Sequence, residues 1–105
     1  MKIINKTPHD VNVINKKGEV YFTFESDGSI RLAVKIIRIG AINGIPMTET
    51  FFGEPEGLPV FEHETFYIVS QLVKNALPKR TDLLVPAEVV RDGKGKILGC
   101  KSLGV

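Results

Sequence analysis

The sequence predicts a mainly β fold of the α+β kind: a small antiparallel β-barrel or β-roll with one short helix near residues 70–77. Three observations carry this. Runs of β-branched and aromatic residues alternate with period two, glycine-containing turn signals separate them, and only one segment has helical spacing. Lys2–Asn5 opens the first strand. Asp10–Asn15 follows, with Val11 and Val13 on one face. Lys16-Lys17-Gly18 turns the chain into Glu19–Phe24, the expected hairpin partner. Ser26–Ser29 is a second turn. Ile30–Ile39 is a long strand whose alternation breaks at Arg38, predicting a bulge or an end of burial near Ile37. Asn43-Gly44 is a strong hairpin signal, and Pro46 marks the returning arm as an edge strand. Gly53–Pro59, with two prolines and two glycines, reads as a loop.

The second half changes character. Thr65–Val69 is a buried-type strand. Ser70 is an N-cap candidate, Leu72, Val73, Ala76 and Leu77 form the apolar helical face, and Pro78 stops the helix. Residues 81–86 form a connector or short strand. Val89–Arg91 and Lys96–Cys100 flank the turn Asp92–Gly95, giving seven or eight strands in all.

At 105 residues, with 43% hydrophobic and 25% charged side chains, the chain reads as a single domain, 1–105, able to bury a core. One cysteine excludes an intramolecular disulfide and every zinc pattern needing two thiolates, so no metal or cofactor is expected. No apolar run reaches membrane-span length and residues 1–20 lack a signal-peptide pattern, so the expectation is a cytoplasmic protein with no membrane partner. The net charge of +2 is unevenly spread: residues 1–39 balance to +3, 40–70 to −5 and 71–105 to +4. The acidic middle is either a solvated face or lies against the basic ends. Alternatively, the two basic segments form one positive surface for an anion. The basic residues are scattered among strands, which argues against long nucleic acid and for a small ligand.

Five residues are candidate ligand contacts. His9 lies in Thr7-Pro8-His9-Asp10, where Thr7 or Asp10 can equally cap a turn around Pro8. Arg80 can fork a phosphate or carboxylate while Asp82 holds it, or it can answer the helix dipole. Arg91 and Asp92 form either a hairpin-end ion pair or part of a site. Cys100 reads as a buried small hydrophobe; as a nucleophile it needs His9 or His63 as base. His63, between Glu62 and Glu64, reads as solvated, and Asp92–Lys96 as a plain turn without the Walker pattern.

The chain resembles a family of small uncharacterised phage- and prophage-associated proteins. The resemblance rests on Asn5–Val13, Asn43-Gly44-Ile45-Pro46, Phe52-Gly53-Glu54 to Leu58-Pro59, Tyr67–Val73, Arg80-Thr81-Asp82, Val90-Arg91-Asp92 and Gly99-Cys100. It spans nearly the whole length and implies a bacterial host cytoplasm and, by analogy, antagonism of a host defence. The resulting expectation is a non-enzymatic homo-oligomer that sequesters an anionic nucleotide-like ligand at a barrel mouth or subunit interface. One alternative is an interaction module or inhibitor that docks an edge strand on a host protein. The other is a Cys/His hydrolase or transferase.

Overall fold

The computed structural model describes residues 1–105. Eight strands and one helix run in the order β1 (Lys2–Asn5), β2 (Val11–Ile14), β3 (Val20–Phe24), β4 (Arg31–Ile42), β5 (Ile45–Glu56), β6 (Thr65–Ile68), α1 (Gln71–Ala76), β7 (Leu83–Arg91) and β8 (Ile97–Gly104). Six strands form one mixed sheet in the order β1-β6-β7-β8-β2-β3, and β4 pairs only with β5 in a separate hairpin. The sequence-local hairpins β2–β3 and β7–β8 are antiparallel. The pairs that join distant segments, β1–β6, β6–β7 and β2–β8, are parallel. One further bridge, Asn5 to Ser26, ties the β1 end of the sheet to the chain leaving β3.

β6 and β7 lie inside this sheet and are covered on both faces, which is why Tyr67-Ile68-Val69 and Leu83-Leu84-Val85 are unbroken apolar runs. Alternate residues go to opposite sides. Tyr67, Val69, Leu83 and Val85 pack with Val73 of α1, and Ile30 and Leu58 close over them. Ile68 and Leu84 pack with Val11 and Cys100 on the other side. The α1 helix is less than two turns long and is held by this packing. The Ser70 hydroxyl accepts from the Val73 N–H at 3.3 Å, and the Leu77 N–H closes the last turn on the Lys74 carbonyl.

Three elements differ from the sequence reading. The segment expected to be a loop from Gly53 begins as strand, because β5 continues through Gly53, Glu54 and Pro55 to Glu56. Pro55 and Glu56 pair with Leu32 and Arg31, while Gly53 and Glu54 lie in an irregularity opposite Ala33. Gly53 permits it: a Cβ there would stand 3.1 Å from the Ala33 Cβ. Residues 83–91 form one strand rather than a connector and a later strand, since β7 runs through Pro86. The bulge expected near Ile37 falls at Ile39, two residues further along β4. The Asn43-Gly44 turn has both residues at positive φ, 51° and 78°, as a two-residue hairpin turn of the I′ type requires.

Gly99 fixes how closely β8 and β2 approach. A Cβ at this position would lie 2.5 Å from the Asn12 carbonyl oxygen and 2.9 Å from Ile14 Cδ1. The Gly99→Ala substitution therefore has to push two backbones apart and is expected to cost about 2 kcal/mol in urea unfolding. The control is Gly93→Ala, where a Cβ meets nothing within 4 Å and a near-neutral effect is expected.

Candidate functional site

The Asn5–Asp10 segment is built around one buried amide. Asn5, 2% exposed, donates through Nδ2 to the carbonyls of His9 at 2.8 Å and Phe24 at 2.9 Å. Its Oδ1 accepts from the Thr7 backbone N–H at 2.9 Å, and the Thr7 hydroxyl lies 2.6 Å away. Asp10 Oδ1 accepts the Ser26 N–H at 2.8 Å, and the Ser26 hydroxyl donates to the Thr7 carbonyl. Together these contacts pin the loop between β1 and β2 against the end of β3 and present His9 at the surface.

His9 and Asp10 open onto a cleft of about 420 Å³ between the β1–β2 loop and β8. Lys96 lies on its rim. Its walls include Asn12, Pro86, Val89 and Leu98, and Cys100 lies at its base. Asn12 is engaged, accepting from Thr23 through Oδ1 at 2.8 Å and donating through Nδ2 to the Leu98 carbonyl at 3.4 Å. His9 and Lys96 make no ion pair within the chain. They are the groups in this cleft that can donate to an incoming anion.

The other predicted contacts lie elsewhere. Arg80 grips Asp82 with two hydrogen bonds, Nε to Oδ1 at 2.8 Å and Nη2 to Oδ2 at 2.6 Å, and Nη2 also reaches the Pro59 carbonyl at 3.1 Å. The Asp82 side chain is 1% exposed. This clamp fastens the 57–64 connection to the start of β7, and it uses the face of the guanidinium that would fork a phosphate. Arg91 donates to the Gly95 carbonyl at 3.0 Å, and Asp92 Oδ1 accepts from the Lys94 and Lys96 N–H groups, so both residues brace the β7–β8 turn. The two arginine clusters stand at opposite ends of β7, roughly 25 Å apart along a nine-residue strand. Of the five principal clefts, none is lined by more than one of His9, Arg80, Asp82, Arg91 and Asp92.

Cys100 shares the cleft with His9 but is 1% exposed, with Sγ 3.6 Å from the Asn12 carbonyl. Burial pushes its thiol above the ordinary value, although backbone N–H groups of Ala87 and Ser102 oppose the shift. A buried thiol with a raised pKa is a poor nucleophile. A separate groove of about 350 Å³ is lined by Tyr21, Phe22, Phe24 and Lys101, with the Phe22 and Phe24 rings 4.6 Å apart. No three His, Cys, Asp or Glu side chains gather as a metal centre would require. No helix is long and apolar enough to cross a membrane.

Comparison with known family models, curated proteins and solved structures finds no match. The geometry is therefore the ground for a functional reading. Sequence reasoning passed over Asn5 and Lys96. Asn5 looks like an ordinary strand end, and Lys96 comes to line the same cleft as His9 only because β8 pairs with β2 across more than eighty residues.

Two expectations follow. The Arg80 hydrogen bond, outweighing burial, holds the Asp82 carboxyl below its ordinary 3.8. The folded state then binds this proton less readily than the unfolded chain, so the stabilisation is complete above about pH 5 and disappears as pH falls through the depressed folded value. Urea midpoints should fall on acidification in the native protein and fall less in Asp82→Asn, which itself loses about 2 kcal/mol at neutral pH. Separately, iodoacetamide should modify Cys100 at least about 100-fold more slowly in the folded protein than in denaturant. Equal rates would show a thiol open to solvent.

Proposed function

We propose that the protein is a non-enzymatic binding protein that holds a small anionic, nucleotide-like ligand in the cleft between the β1–β2 loop and β8. The observation that carries this reading is the pairing of two donors, His9 and Lys96, with apolar walls in a cleft of about 420 Å³. That volume lies within the range of small-molecule sites. Lys96 would take the anionic group and His9 would donate to it or to a base. Asp10 has one carboxylate oxygen committed to Ser26, leaving the other to accept from a sugar-type hydroxyl. An anion without such a donor would meet the Asp10 charge, which favours a hydroxyl-bearing ligand such as a nucleotide over an ion like sulfate. In this reading the six-stranded sheet is rolled, with β1 and β3 drawn together at Asn5 and Ser26, and the cleft opens on its outside. Arg80, Asp82, Arg91 and Asp92 shape the scaffold around it. The resemblance to phage-borne proteins makes a host nucleotide signal the natural class to test, with the bacterial cytoplasm as the place of action.

The β4–β5 hairpin favours a second reading. The β4 edge offers twelve residues without a proline, a surface onto which a host protein strand could be added.

Calorimetry with a panel of mono-, di- and cyclic nucleotides and ADP-ribose tests the first reading. At least one member should bind with micromolar affinity, and Lys96→Ala should weaken it about tenfold or more. Absence of heat across the panel, or binding unaffected by both Lys96→Ala and His9→Ala, would remove the cleft as the site.

A further inference from the structure

The β4–β5 hairpin is unlike the rest of the molecule. Each strand has twelve residues, so the arm reaches about 40 Å. It stretches the molecule to 51 × 39 × 20 Å, with a radius of gyration of 16.8 Å, where a compact domain of this length has about 13 Å. Only 14 of the 105 residues are buried and none belongs to the arm. Neither strand packs extensively on any element except the other.

An arm in water should be polar, yet this one is apolar on both faces. Cross-strand partners share a face, so the register separates them. One face presents Val34, Ile36 and Phe52. The other presents Ile37, Ile42, Ile45, Met47 and Phe51, with exposures from 39% to 67%. A two-stranded ribbon alone is marginal in water, and exposed apolar patches of this extent mark interaction surfaces.

Charge identifies the occupant. The ionised side chains of β4 are all basic (Arg31, Lys35, Arg38), and those of β5 are all acidic (Glu49, Glu54, Glu56). Consider two copies packed face to face about a two-fold axis parallel to the strands. That rotation lays β4 of each over β5 of the other, so the basic strand of one copy faces the acidic strand of its partner. The Ile37/Met47/Phe51 face also carries Lys35 and Glu49, which places opposite charges within reach across the contact. This contact buries one face of each arm, roughly 400 Å² per partner and about 800 Å² in total, a modest interface that leaves the opposite face for a further copy.

We infer that the β4–β5 arm is a self-association element whose occupant is the arm of a second copy of this chain. This stands independently of the cleft: the arm's apolar faces need covering whatever His9 and Lys96 bind.

Sedimentation equilibrium on the full chain tests it. The expected mass is at least twice the chain's 11.6 kDa. Ile37→Asp combined with Phe51→Asp removes two side chains that the single chain already leaves exposed. It should weaken assembly about 100-fold while the far-ultraviolet circular dichroism of the core is retained. Should that variant fail to fold, charge reversal provides the second measurement. Lys35→Glu should loosen assembly about tenfold, and Lys35→Glu with Glu49→Lys should restore it. A native chain that sediments as a monomer would overturn the inference and leave the arm to a foreign protein. So would an assembly indifferent to both sets of substitutions.

Discussion

Asn5 sits where three parts of the chain must be held together, and its side chain does so with no polar atom left over. A buried primary amide is stabilising only when both ends are satisfied, since each orphaned group costs about 1–3 kcal/mol. Here the NH₂ group spans the carbonyls of His9 and Phe24, while the oxygen takes the Thr7 amide. The backbone of Asn5 accepts from Asp27 and bridges to Ser26. One side chain thus sets the path of the chain from β1 into β2 and fixes β3 relative to both. The orientation of His9, and hence the shape of the neighbouring cleft, follows from it.

The same economy explains why charged motifs that look like sites act as struts. Arg80 and Asp82 are two residues apart and stabilise each other at the buried start of β7. Arg91 and Asp92 close the β7–β8 turn through backbone groups. A small domain has few buried side chains with which to lock its loops, so polar clamps do part of that task. Of the donors left on the cleft, His9 and Lys96, the sequence singles out only His9.

The molecule divides into two physical regimes. The six-stranded sheet with α1 satisfies its own polar groups and buries its own apolar runs, with no buried side-chain nitrogen or oxygen left unpartnered. The β4–β5 arm does neither for its apolar faces and open edges. It is anchored at its base, where Ile30 and Leu58 reach the core and Gly57 passes under the Ser29 carbonyl at positive φ. Beyond that point the arm is stabilised by its own ladder and by whatever covers it. The proposed ligand cleft on the self-sufficient part and the proposed association arm on the other are compatible, because they use different surfaces.

Local physics made most of the elements legible in the sequence. Alternation identified the strands, Asn43-Gly44 supplied a turn conformation whose twist suits a two-residue hairpin, and Ser70 and Pro78 bracketed the helix. Each of these signals acts over a few residues. Three parallel pairings, the passage of β5 through Gly53 and Pro55, and the placing of His9 and Lys96 on one cleft were decided only by tertiary structure. They depend on contacts between segments far apart in the chain, and periodicity carries no record of which strand will lie beside which. The charge blocks were visible from the start. Only the folded hairpin reveals that they are two facing strands of an arm, because their meaning depends on register rather than on composition.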